Sequence, residues 1–127
     1  MIRIRVTQRD GGMELKAHGH AGYAPHGQDI VCAGVSALLY GFIAYLEGLS
    51  PIATAGAPSL GGAYPHLEVS EGDGELRVVT RGLGGRDVAG FDVTLAGLSL
   101  IAACYPAFVT LDIPTIGKRE VNEHEPS

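Results

Sequence analysis

The chain has 127 residues, with 9 Lys and Arg against 14 Asp and Glu and a formal net charge of -5 at pH 7. That length holds one domain with one core. The acidic balance argues against non-specific binding of nucleic acid, whose phosphates would be repelled, and favours a basic protein or peptide partner.

Ile2, Ile4 and Val6 alternate with Arg3, Arg5 and Thr7, which is the period of a strand with one buried face. No apolar signal region is visible in this start, so the chain reads as cytoplasmic, with Cys32 and Cys104 as reduced thiols. Asp10-Gly11-Gly12 signals a turn. Met13, Leu15 and Ala17 then alternate with Glu14, Lys16 and His18, so the first twenty residues form a hairpin.

Residues 19–28 (GHAGYAPHGQ) read as a glycine-rich loop. Asp29 stands where a helix N-cap belongs. From Ile30 to Leu46 no residue is charged, and Gly48 and Pro51 stop the run. A helix apolar all round is buried or in a bilayer, and this run falls short of the roughly 20 residues that a span needs. A central core helix is expected.

Residues 51–65 form a Pro/Gly/Ala loop, and two short strands around a turn at 71–74 make a second hairpin. Asp87 opens a second apolar helix that ends before Pro106. A last strand is expected within 108–113. The order β-β-α-β-β-α-β predicts an α+β fold, with two apolar helices packed on an antiparallel sheet of two hairpins and a last strand. The domain spans 1–117, and 118–127 reads as a polar, mobile tail. Both helices are more apolar than one sheet face requires, which predicts a homodimer.

The chemistry concentrates in residues 19–38. Cys32 falls in the first turn of its helix, where orphan N–H groups and the positive dipole end favour a thiolate. His20 ends the second strand, and the loop can fold it back over the helix start as the partner base. The amides of Cys32 and Ala33 are candidate oxyanion donors. Gly22, Tyr23, His26 and Gly27 belong to a loop expected to act as a flap over a peptide. Cys104, near the end of an apolar helix, reads as packing.

Gly19-His20-Ala21, then Gly27, then Asp29-Ile30-Val31-Cys32-Ala33-Gly34-Val35-Ser36-Ala37 resemble the active-site signature of the ribosomal-processing cysteine protease (Prp) family. In that family a G-H-A element is followed by a glycine-containing loop and D-I-V-C-A-x-x-S-A at a helix start. The resemblance implies an α+β dimer without a cofactor. It also implies a catalytic pair of Cys32 and His20, and removal of a short N-terminal extension from a large-subunit ribosomal protein. Asp29 and Ser36 match supporting positions: Asp29 caps the helix or helps orient His20, and Ser36 supports the helix start. The chain departs from the family pattern in the loop at 22–26 and the segment 51–65, which bears on the substrate.

Two other readings compete. A metal site could draw on His18, His20, His26 and Cys32, but their spacing lacks the closely paired ligands of zinc sites. A non-catalytic, ribosome-associated or protein-binding homodimer would leave Cys32 an ordinary buried thiol.

Overall fold

In the computed structural model, residues 1–9, 12–25, 27–49, 67–81 and 85–113 are described; His26, the 51–65 segment and the 118–127 tail lie outside them. The elements are β1 (Ile2–Arg9), β2 (Gly12–His18), α1 (Ile30–Leu46), β3 (Glu68–Gly72), β4 (Glu75–Thr80), α2 (Gly85–Cys104) and β5 (Val109–Asp112). The sheet order is β3-β4-β2-β1-β5.

The two hairpins pair antiparallel as expected, and β2 joins them by pairing with β4. The expectation of an antiparallel sheet is corrected at one edge: β5 runs parallel to β1, so the sheet is mixed. The reason is connectivity. The chain leaves β4, crosses the sheet as α2 and returns at the far edge, where no tight turn constrains the direction of β5.

Alternation decides which face is buried. Ile4 stands opposite Ala17, Val6 opposite Leu15, and Leu15 opposite Val78, so one face collects the apolar side chains. Val6 is fully buried there beneath Val31, Val35, Leu39, Phe42, Ile43 and Leu46 of α1. The other face carries Arg3, Arg5, Lys16 and Arg77. Arg5 pairs with Asp112 there, and Arg77 with Glu14.

Helix α1 is stopped by a Schellman cap. Gly48 takes φ +106, its N–H donates to the Tyr45 carbonyl (3.1 Å), and the Leu49 N–H donates to the Ala44 carbonyl (2.9 Å). Helix α2 lies antiparallel against it. Leu38 meets Gly97 and Tyr45 meets Gly90, so closely that a Cβ at either glycine would stand about 3 Å from those side chains. Phe42 and Phe91 stack with ring centroids 5.2 Å apart.

Residues Asp87–Cys104 are long and apolar enough to cross a bilayer by length and composition. In this fold Phe91 and Leu98 are buried, but Val93 is 70% exposed and Leu100 66%. Cys104 is exposed at the helix end, which corrects its reading as a packing residue.

Candidate active site

Asp29 takes the N-cap position, with φ -89 and ψ 100, so Cys32 is the third residue of α1. One carboxylate oxygen of Asp29 accepts the Cys32 N–H (2.9 Å) and the other accepts the Tyr23 N–H (3.0 Å). The same side chain therefore caps the helix and ties the preceding loop to it. The Cys32 amide, followed by those of Tyr23, Ala24 and Val31, holds the Asp29 carboxyl below the usual carboxylate range against an opposing desolvation.

This geometry corrects the oxyanion assignment. The Cys32 amide is spent on the Asp29 side chain, and the Ala33 amide donates to the Asp29 carbonyl (3.0 Å) as the first full helical bond. Neither is an open donor. A good N-cap satisfies the very groups that an uncapped helix start would have offered.

His20 lies just beyond β2 and is held by its neighbours. The Met1 ammonium donates to the His20 carbonyl (2.6 Å), and the Gly19 N–H donates to the Gly74 carbonyl (2.8 Å). The imidazole rests on Gly74, where a Cβ would stand 3.0 Å from Nε2. His18 points to the opposite, helix-free face, 3.7 Å from Glu75. Among the described residues no three His, Cys, Asp or Glu side chains group to hold a metal ion.

His20 and Cys32 together line two adjoining cavities. One, of about 470 Å³, opens under the loop between Gly22, Ala24 and Gly27, with Asp29 and Ala33 at its base. The other runs along α1 past Ser36 to Tyr40, with Gly72 and Gly74 on its far wall. Ser36 is thus a wall residue one turn beyond Cys32. Gly22 and Gly27 both have positive φ, +72 and +89, and face open space. Tyr23 does not line either cavity. Its ring packs edge-on against Tyr105 and Phe108, with centroids 5.7 and 5.2 Å away. These aromatic contacts turn the ring toward the α2–β5 connection.

Sequence reasoning missed Gly74 and Tyr40. The Asp73-Gly74 pair is a legible turn signal, and Tyr40 stands two helical turns from Cys32. Nothing in the local sequence says that this turn meets His20.

An α+β domain with a cysteine in the first turn of its central helix, facing a strand-end histidine across a cleft, has the arrangement of a cysteine peptidase. Residues 1–110 match the family described as cysteine protease Prp, and the chain belongs to that family. It is 30% identical over 114 residues to the ribosomal processing cysteine protease Prp of Mycoplasma pneumoniae, covering 88% of this chain and 94% of that protein. It is 37% identical over 71 residues to the protein of the same name from Bacillus subtilis, spanning 54% of this chain and 61% of that protein. The fold resembles that of the Staphylococcus aureus ribosomal processing protease Prp, whose crystal structure holds a covalently linked product peptide. The TM-score is 0.67 at 24% identity, over 89% of this chain and 99% of that one.

Proposed function

We propose that this protein is a cysteine endopeptidase that removes a short N-terminal extension from a ribosomal protein, with Cys32 as nucleophile and His20 as its base. The observation that carries this reading is the cleft that the two residues share, in a chain of the Prp family. The thiolate attacks the scissile carbonyl carbon, forming a C–S bond and an oxyanion. The helix dipole, whose positive end lies at Cys32, favours that negative charge. The protonated imidazole gives its proton to the leaving amine as the C–N bond breaks, leaving a thioester. Water deprotonated by His20 then hydrolyses the thioester and regenerates the thiol. Asp29 and Ser36 act as supports, one at the cap and one on the cleft wall.

The substrate reading draws on the named relatives and on the net charge of -5, which attracts a basic precursor. The reaction needs a reduced thiol and therefore suits the cytoplasm. The apolar side chains that α2 exposes, Val88, Val93 and Leu100 among them, support a homodimer. The test is incubation with the N-terminally extended ribosomal protein of the same organism and location of the cut by mass spectrometry. A single cut near the N-terminus, absent with Cys32→Ala, is expected. An uncut precursor, or equal cutting by Cys32→Ala, would overturn the proposal.

A further inference from the structure

Strand β3 lies at one edge of the sheet, and among the described residues it pairs with β4 alone. All five of its residues are exposed. The register decides which of its backbone groups face outward. Gly72 stands opposite Glu75 across the two-residue Asp73-Gly74 turn, and the pair that flanks such a turn exchanges both of its hydrogen bonds. The alternation of an antiparallel ladder then turns Ser70 and Glu68 toward β4 as well. It leaves the N–H and C=O groups of Val69 and Glu71 on the open edge.

Soluble proteins commonly blunt such an edge with Lys, Pro or a bulge. Strand β3 reads Glu-Val-Ser-Glu-Gly, with neither Lys nor Pro, and pairs with β4 residue for residue, without a bulge. This edge is continuous with the catalytic cleft. Gly72 ends β3 and also lines the cavity that His20, Cys32, Ser36 and Tyr40 share. An extended chain that leaves the cleft past Gly72 therefore meets the outward groups of Glu71 and then of Val69, two residues apart, the spacing at which successive groups of a strand face one way. The charge fits the same occupant. Glu68 and Glu71 are the only charged residues of β3, which suits a basic precursor. Glu68 also pairs with the exposed Arg81, 3.5 Å away.

We propose that the outer edge of β3 docks the substrate: the extended segment flanking the scissile bond joins the five-stranded sheet as a sixth strand, through the backbone N–H and C=O groups of Val69 and Glu71. This rests on the peptidase reading and names how the site holds its substrate. Main-chain bonds of this kind give affinity for any extended chain, and the pockets around Cys32 add the choice of side chains. Val69 and Glu71 touch no reacting atom. They act by holding the peptide backbone in register with the cleft.

The experiment follows amide hydrogen exchange in the full-length Cys32→Ala protein, alone and saturated with a peptide spanning the processed junction. In the free protein the Ser70 amide should be protected by β4, while those of Val69 and Glu71 exchange freely. Bound peptide should slow the Val69 and Glu71 amides by at least about tenfold. Val69→Pro removes one outward donor without touching a bond to β4, and should weaken peptide binding about three- to tenfold, the scale of one hydrogen bond. Val69→Ala keeps the donor and should bind within about twofold of the parent protein. Unchanged exchange at 69 and 71 with peptide bound overturns the inference, as does equal weakening by Val69→Ala and Val69→Pro. Protection of the same two amides without peptide, growing with protein concentration, would mean that a second copy occupies the edge, and overturns it too. Exchange is read on the chain with an unaltered β3, so it decides even where the proline variant does not fold. Failure of wild type to cut a peptide that the Cys32→Ala protein binds tells against the peptidase reading alone, while unslowed edge amides tell against β3.

Discussion

The imidazole of His20 lies on Gly74, the second residue of the β3–β4 turn, with Nε2 3.0 Å from where a Cβ would be. Gly74 has φ +68, so both its backbone conformation and its missing side chain matter. The turn is fixed by strand pairing, since Gly72 stands opposite Glu75. The second hairpin therefore serves as the seat for a histidine that the first hairpin supplies.

Gly74→Ala should lower kcat/KM on the junction peptide by on the order of a hundredfold, the scale expected when a catalytic group moves by about 1 Å. Left-handed strain adds about 1–2 kcal/mol of destabilisation. Gly48→Ala is the control. It carries comparable strain at φ +106, but at the far end of α1, so it should lower Tm while kcat/KM stays within about twofold of wild type. Equal activity losses in the two variants would mean that Gly74 acts only through stability.

Removing the sulfur of Cys32 should separate chemistry from fold. Cys32→Ala is expected to lose on the order of a thousandfold or more in turnover with Tm nearly unchanged. Cys104 is exposed, so Cys104→Ser should change stability by less than about 0.5 kcal/mol and leave turnover as it is. Alkylation followed by peptide mapping should label Cys32 in an active-site-dependent manner, with protection by bound peptide.

Asp29 sets a pH dependence. Its carboxyl is lowered in the folded state, first by the Cys32 amide. A lowered acid contributes stability that is present above its unfolded value of about 3.9 and is lost as pH falls through the folded value. Amide hydrogen exchange should therefore show the Cys32 and Tyr23 N–H groups protected at pH 5 and released together only below the ordinary carboxylate range. Asp29→Asn should keep the cap and blunt the pH response, and Asp29→Ala should expose both amides at every pH. Independent release of the two amides would contradict a single carboxylate tie.

The loop at 22–28 is anchored by the ring of Tyr23 between Tyr105 and Phe108. Tyr23→Ala removes two edge-to-face contacts worth about 0.5–1.5 kcal/mol each. It should speed exchange of the amides at 22–25 and raise KM more than it lowers kcat. If the loop also closes over substrate, those amides should slow when peptide binds to the Cys32→Ala protein. Identical exchange with and without peptide would rule out closure.

The exposed side chains on α2 give an assembly prediction. Sedimentation at micromolar concentration should show a dimer for wild type and a monomer for Val93→Asp or Leu100→Asp, because a charge in a desolvated apolar contact is costly. A wild-type monomer would count against the homodimer.

Much of this protein is legible along the chain because it depends on local repeats. Alternation over Ile2, Ile4 and Val6 gave the strand and its buried face, and Asp29 before an uncharged run gave the helix start that carries Cys32. The third-position cysteine and the strand-end histidine were readable from their neighbours, as were the cap and the Asp73-Gly74 turn. Tertiary structure decided the rest. The parallel seat of β5, the rest of His20 on Gly74 and the aromatic anchor of Tyr23 each join elements far apart in sequence. It also decided that the Cys32 and Ala33 amides are engaged, since a cap that is only possible in sequence becomes a bond when Asp29 takes its rotamer. Periodicity and propensity act within a few residues, so a sequence states them directly. Contacts between elements depend on register and packing across the whole core, and they exist only once the chain has closed on itself.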